Sequence, residues 1–232
     1  MATDTPAQPP RARRDGVASG YAKGDAARQR LLEAAMAEFA DVGFRAATTR
    51  RIAEAAGVQL PAIPYYFGHK EGLYLACAEA IADGYHRHMG PAAGRALTAL
   101  ERGDPPAALR DTLRALMDTL VELLVVHADA RRWAAFIARE TADPGPAYEV
   151  LYRRVWEPGA ALTARLIAGL RGRAEPAPED RVQALLLIGS LMAFQSGGRV
   201  SQRLLGWATI GPEQLRLIAD ALRRQIDGLA GG

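Results

Sequence analysis

The chain has 232 residues, with 29 basic and 26 acidic side chains, 49% apolar residues and only 6% aromatic ones. That length allows one or two domains, and a composition rich in Ala and Leu favours helices packed through small side chains over a β-sandwich. A net charge of +3 excludes a generally basic nucleic-acid coat, yet it leaves room for a local basic surface.

Residues 1–24 are rich in Pro, Ala, Gly and Arg and show no period, which reads as a disordered arm. The arm has no apolar segment of the kind a signal peptide carries. Arg11, Arg13 and Arg14 within it could touch phosphate or a minor groove, although a solvated tail is the simpler reading. A first helix is expected over 25–42, where Leu31, Ala35 and Phe39 recur at i+4 beside Leu32 and Met36. Gly43 should end it, and Phe44 should tuck back into a small core.

Residues 48–70, TTRRIAEAAGVQLPAIPYYFGHK, read as two short helices joined by a tight turn. Thr48 and Thr49 can cap the first, expected from Arg50 to Ala56. Ile52, Ala53 and Ala56 share one face. Gly57 stands where a helix needs a left-handed residue to stop, Val58 plugs the turn, and a second helix is expected from Leu60 to Phe67. A helix, a Gly turn and a helix form a helix-turn-helix, whose second helix enters the DNA major groove. An αα-corner in a helical core has the same pattern. Pro61 suits a first turn, whereas Pro64 is placed near the fifth position, where proline costs roughly 3 kcal/mol. The second helix is therefore expected to be short, tight or bent.

A further helix should run from Lys70 to about Met89, carrying Cys77, the only cysteine. Cys77 reads as a packed small hydrophobe. Residues 90–104, with Gly90, Pro91, Gly94 and Gly103, read as a connection containing one short helix at most. Asp104 as N-cap and Pro105 at the first position should start a helix to about 127, with Leu109, Leu113, Leu116, Leu120 and Leu124 as its stripe. Helices are expected over 130–141 and, after Pro144-Gly145-Pro146, over 147–171, where Pro158 should cause a kink or a division into two. A polar loop at 172–178 precedes two last helices, over 179–199 and 212–229. The longest apolar run, Ala184 to Phe194, is too short for a membrane span of about 20 residues. The expected location is the cytoplasm.

Several of these stretches resemble the DNA-binding domain of TetR-type transcriptional repressors. They are RQRLLEAAMAEFADVGFRAATTRRIAEAAGV and PAIPYYFGHKEGLYLA, with Phe39, Asp41, Gly43 and Phe44 ending the first helix and Thr-x-x-x-Ile-Ala starting the second. FIARETADPGPAYEVLYRRVWEPG looks, more loosely, like the C-terminal domain of the subgroup regulating antibiotic sensitivity. The resemblance implies an all-α chain of about nine helices: the arm at 1–24, a three-helix helix-turn-helix domain at 25–72 and an effector-binding and dimerisation domain at 73–232. It also implies double-stranded, near-palindromic operator DNA as partner, a homodimer, and repression relieved by a small apolar or amphipathic effector.

Carried over residue by residue, the DNA contacts fall on Thr49 and Arg50, then on Gln59, Leu60, Pro61, Ala62, Pro64, Tyr65 and Tyr66, with Lys70 as phosphate anchor. Arg50 could pair with a guanine edge. Tyr66 takes the family's phosphate contact, and Tyr65 should pack on the domain core. Pro64 departs from the family, many members of which carry a DNA-touching tyrosine there. The combination of Trp133, Phe136, Ile137, Tyr148, Tyr152 and Trp156 with Arg139 and Glu140 suits an effector pocket, and equally a helical core with an internal ion pair. Gly189, Ala193 and Gly197 give one helix a smooth face, while Leu185, Leu186, Ile188 and Met192 on its other face should hold it to its own subunit, and Leu215, Ile218, Leu222 and Ile226 give the last helix a stripe; the smooth face and the stripe are expected at a dimer interface. No catalytic constellation or cofactor fingerprint is present. No metal site is expected, because His86 and His88 diverge on a helix and His69 and His127 are isolated. The competing function is that of an all-α ligand carrier or enzyme with an incidental helix-turn-helix corner.

Overall fold

The structure is a computed structural model, and it describes the backbone of residues 15–195 and 199–229; side chains are described from Gly24 onward, except at Arg199. Among the described residues every regular element is helical. In chain order they are α1 (Asp15–Ala46), α2 (Thr49–Ala55), α3 (Ala62–Phe67), α4 (Lys70–Glu101), α5 (Pro106–Val121), α6 (Ala128–Ala142), α7 (Tyr148–Leu151), α8 (Glu157–Leu170), α9 (Pro178–Met192), α10 (Arg199–Leu205) and α11 (Pro212–Gly228).

The expected stripe of α1 is realised, with Leu31, Leu32, Ala35 and Phe39 buried against α2 and α4. Its helix begins at Asp15, ten residues earlier than expected; residues 1–14 of the expected arm, with Arg11, Arg13 and Arg14, lie outside the described residues. Gly43 breaks the helical path at φ 79°, ψ 169°. That left-handed value suits only glycine without strain.

The bounds of the next two helices also differ from expectation. The helix from Lys70 does not stop near Met89 but continues to Glu101, through Gly90 and Pro91. Met89, Ala92, Ala96 and Ala99 extend the buried stripe that begins with Leu73 and Tyr74, and this packing outweighs the one backbone bond Pro91 removes. Pro91 itself is exposed, leaving the neighbouring carbonyls within reach of water. Pro105, not Asp104, is the N-cap of α5, while Asp104 accepts from the Arg102 guanidinium.

Two turns of wider, i→i+5 hydrogen bonding interrupt the helices after α5, at Glu122–Val126 and Tyr152–Trp156. The expected division near Pro158 is realised by the second. The Glu157 N–H bonds the Tyr152 carbonyl, and Pro158 then lies in the first turn of α8, where a missing N–H is harmless. The expected helix over 179–199 ends at Met192, and α10 was not expected. α5 lies between α4, α8 and α11, and α8 packs on α9.

Asp180 anchors the loop that connects α8 to α9. Its side chain is fully buried and accepts from the Ala177 N–H at 2.9 Å and from the guanidinium groups of Arg171 and Arg173. Burial alone would raise its pKa, but those donors outweigh it and hold the carboxyl below the ordinary carboxylate value. Its contribution to stability is thus complete above the unfolded value of about 3.9 and is lost as pH falls through the folded one. Asp180→Asn should cost about 3 kcal/mol at neutral pH, because two guanidinium groups lose their partner. It should also flatten the fall in stability on acidification below about pH 4; urea melts at several pH values would show both effects.

Candidate DNA-binding surface and effector cavity

The α2–α3 unit forms as expected. The Thr48 hydroxyl accepts from the Arg51 N–H at 3.3 Å to cap α2, and Gly57 closes the turn at φ 62°. Ile52, Ala53, Ala56 and Ile63 hold the pair to α1 and α4 from below. The opposite surface presents Arg50, Gln59, Leu60, Pro61, Pro64 and Tyr65 to solvent, with Thr49 and Ala62 half-buried beside them. Arg50 lies in an open i,i+4 pair with Glu54 at 3.0 Å, a contact weak enough to exchange for a base or phosphate.

Pro64 does not carry the expected penalty. α3 begins at Ala62, so Pro64 is only its third residue, and the Leu60 carbonyl it would have bonded already accepts from the Ile63 N–H at 3.1 Å. The result is a six-residue helix entered by a tight turn, in keeping with the expected short element. The two tyrosines exchange their expected places: Tyr65 is 81% exposed, whereas Tyr66 is half-buried against the core. Tyr65 therefore faces outward with the recognition residues.

Lys70 has a structural task. Its ammonium donates to the Ala47 carbonyl at 2.9 Å and the Arg45 carbonyl at 3.3 Å and lies 4.8 Å from the centre of the Phe44 ring. It thereby closes the α1 end onto α4, with one N–H remaining for a phosphate. His69, absent from the expected set, caps α4 by accepting the Gly72 N–H at 3.1 Å.

The eight expected pocket residues separate into three groups. Trp133, Ile137 and Trp156 line an apolar cavity with Tyr85, Leu120, Leu123, Leu124, Val155 and Ile188. A second lobe of about 330 Å³ lies on the other side of Tyr85, between α4, α5 and α8. The lobes share Tyr85, Leu120, Val155, Gly159 and Ile188, and His86, Arg154 and Arg165 are the charged or titratable groups in the wall of the second. Burial pushes the Tyr85 phenol up to about 12, so its hydroxyl stays a neutral donor. Both wide turns contribute wall residues: Leu123 and Leu124 from one, Val155 and Trp156 from the other.

Phe136, Arg139 and Glu140 do not line that cavity; they tie the two halves of the chain together. Phe136 packs on Tyr74, with ring centres 4.9 Å apart. Glu140 is buried and accepts from the Tyr74 hydroxyl and from the Gly145 N–H at 3.2 Å. Arg139 donates to the carbonyls of Ala40 and Asp41, 3.1 and 2.6 Å away, at the end of the straight part of α1. The internal Arg–Glu pair allowed by the sequence is absent. Tyr148 and Tyr152 stack at 6.2 Å, with Tyr152 40% exposed, and Tyr148 meets Trp156 edge-on.

The expected interface residues are also redistributed. Ile218, Leu222 and Ile226 are buried within their own chain, where α11 covers α5, and they are not available to a partner. The pairs Arg114–Asp227 and Arg223–Asp118 flank that contact. Leu215 is half-buried and packs on the same core. Gly189 and Ala193 are exposed as expected, and Gly197 lies outside the described residues. Leu185 and Leu186, expected to face inward, are each 61% exposed. With Val182 and Met192 they place large apolar groups on the face assigned to small ones.

The missed cavity residues had a partial signal. Tyr85, Met89, Ala92 and Ala96 continue one helical stripe once α4 is allowed through Pro91. The wide turns carry no sequence mark.

Comparison with known proteins agrees with this geometry. A family profile described as the C-terminal domain of the HTH-type transcriptional dual regulator CecR matches residues 109–232, and one described as bacterial regulatory proteins of the tetR family matches residues 31–77. The HTH-type transcriptional dual regulator CecR of Shigella flexneri is 34% identical over 211 residues, 90% of this chain and 94% of that protein. The HTH-type transcriptional regulator BetI of Yersinia pestis is 35% identical over 50% of this chain and 56% of its own length. Among solved structures, a TetR-like regulator from Rhodococcus sp. RHA1 superposes with a TM-score of 0.59 at 24% identity, over 89% of this chain and 97% of that one. AibR, solved with isovaleryl coenzyme A and operator DNA, superposes with a TM-score of 0.58 at 18% identity, over 85% and 96%.

The wall between α4 and α6 is tight at one point. A Cβ on Gly84 would lie 2.4 Å from two ring carbons of Trp133. Gly84→Ala should push the indole into the cavity and cost about 1–3 kcal/mol. Thermal unfolding and tryptophan fluorescence would detect the change.

Proposed function

We propose, for a chain that belongs to the TetR family of bacterial DNA-binding transcriptional regulators, that it is a homodimeric repressor released by an amphipathic small molecule. The observation that carries the reading is mechanical. α4 starts in the DNA-binding unit at Lys70 and, as one unbroken helix, supplies Ile81, Tyr85 and Met89 to the cavity wall. A ligand that moves the wall moves the recognition surface.

The cavity favours an apolar chain with a polar or anionic head. Its walls are Leu, Ile, Val and aromatic groups, while Arg154, Arg165 and His86 give the second lobe a basic side. An acyl thioester such as the one bound by AibR has that division of character. Arg154 is also paired with Glu79 and with Asp83, the latter at 2.7 Å. An anionic head would compete for it and loosen the second wide turn from α4. Such coupling is reciprocal, so operator and effector weaken each other by the same factor.

Dimerisation follows from the exposed face of α9. Val182, Leu185, Leu186, Gly189, Met192 and Ala193 fall on one helical side, and α10 adds Val200, Leu204 and Leu205. An apolar patch of this kind marks an interface, and a two-fold related copy covers it with itself. Two α3 helices can then reach major grooves about 34–36 Å apart on a near-palindromic site. We place the domain boundary within α4 near residue 72, where the α1–α3 core ends.

Selection of bound sequences from random duplex DNA tests the reading. A near-palindromic consensus is expected, and no enrichment would favour a ligand carrier. Arg50→Ala should relax preference at one base position in each half-site by about 1–3 kcal/mol. An equal loss on every sequence would restrict Arg50 to phosphate.

A further inference from the structure

His88, His127 and Asp129 come from separate parts of the chain, yet each offers a ligand atom within 4.8 Å of the others. His88 lies on α4; His127 links the first wide turn to α6; Asp129 lies in the first turn of α6. The two imidazole rings are 4.0 Å apart, centre to centre. Asp129 Oδ2 is 3.9 Å from His88 Nε2 and 3.7 Å from His127 Nδ1. No metal site was expected because His86 and His88 diverge on a helix and His127 is isolated in sequence, but the fold brings His127 to His88.

We propose that these three side chains form a binding site for a divalent transition-metal ion of the zinc class. Two imidazoles and one carboxylate are the donor set of three-ligand zinc sites that keep a fourth position for water. Tetrahedral bonds of about 2.0–2.1 Å put neighbouring donor atoms roughly 3.3 Å apart. The two pairs that include Asp129 exceed that by about half an ångström, and all three donor atoms lie within 4.8 Å of one another, a spread that side-chain rotations would have to close. The side chains are 28–39% exposed, so an ion and its water can enter without opening the core.

The carboxylate is already oriented for the task. Arg132 holds Asp129 Oδ1, leaving Oδ2 facing the histidines, as outer partners orient metal-bound carboxylates. His127 Nδ1 accepts the Asp129 N–H at 3.3 Å, so in the neutral imidazole that nitrogen carries the lone pair, and an ion would take it over from this long hydrogen bond. One carboxylate with two imidazoles suits Zn²⁺, Ni²⁺ or Cu²⁺ and does not suit Ca²⁺ or Mg²⁺, which need an oxygen-rich shell. The Arg132 charge opposes the ion and should keep affinity moderate.

The site's position gives it a consequence beyond the effector reading. Ala130, next to Asp129, and Trp133, one turn along α6, line the cavity, and His88 lies three residues after Tyr85 on α4. A bound ion would pin α4 to the start of α6 beside the first lobe, limiting the motion by which a ligand acts.

The test is calorimetric titration of the full chain, freed of metal by chelation, with Zn²⁺ alone. One ion per chain is expected, with at least tenfold weaker binding in His88→Ala, His127→Ala and Asp129→Asn and unchanged binding in the His69→Ala/His86→Ala variant. Circular dichroism establishes that each variant is folded, and Co²⁺ should give the visible absorption of a low-coordinate nitrogen–oxygen site in the unaltered protein only. Absence of binding by the unaltered protein, or equal affinity in folded His88→Ala/His127→Ala, would overturn the proposal.

Discussion

The buried hydrogen bond between the Tyr74 hydroxyl and the Glu140 carboxylate sets how the two halves of the chain meet. Tyr74 lies on α4 among Phe39, Phe44 and Phe136, with the Phe39 ring edge-on at 4.6 Å. Burial first, and then the bond to Glu140, push the phenol far above its ordinary pKa, so it remains a donor at any physiological pH. A carboxylate 1% exposed needs such donors, since burying an unpaired one is severely unfavourable. Glu140 finds two, in Tyr74 and the Gly145 backbone. The α4–α6 crossing is thereby fixed to one arrangement.

Neighbouring groups extend this constraint in two directions. Toward the DNA-binding unit, Arg139 holds the last carbonyls of straight α1, where a cation also meets the negative end of the helix. Gly43 lets the chain turn away beneath that guanidinium, which would lie 3.1 Å from a Cβ there. Lys70 closes the same α1 segment onto α4 from the other side. Toward the effector half, α6 carries Trp133 and Ile137 into the cavity wall. A displacement of α6 by a ligand thus reaches α1 and α4 through directional bonds rather than general contact.

Much of this was legible in the residues. The α1 stripe, the capped start of α2, the Gly57 turn and the break near Pro158 follow from local chemistry, as does the outward face of α2 and α3. The extension of α4 was not, because Gly90 and Pro91 argue locally for a stop and only the packing of Met89, Ala92 and Ala96 overrides them. Residues 133–140 announced a functional stretch, but not that Trp133 and Ile137 serve a cavity while Phe136, Arg139 and Glu140 serve a junction. A period of 3.6 gives a residue's face and not which neighbour will cover it. The α11 stripe shows the same gap: Ile218, Leu222 and Ile226 were correctly apolar and wrongly assigned a partner, since α5 already covers them. On α9 the error ran the other way, with Leu185 and Leu186 left outside. The approach of His127 to His88 is a tertiary fact with no trace in either local sequence.

The most direct measurement of the central claim, that the Tyr74–Glu140 junction sets the spacing of the recognition helices, is a spin-label distance across the proposed dimer. Cys77 is buried, and burial holds its thiol well above the ordinary pKa, so it should not compete for the label. With labels at Gln59→Cys, the unaltered junction should give one narrow distribution compatible with major grooves about 34–36 Å apart. Glu140→Gln should broaden that distribution and weaken operator binding of the unlabelled protein about tenfold. An unchanged distribution with unchanged operator affinity would contradict the account.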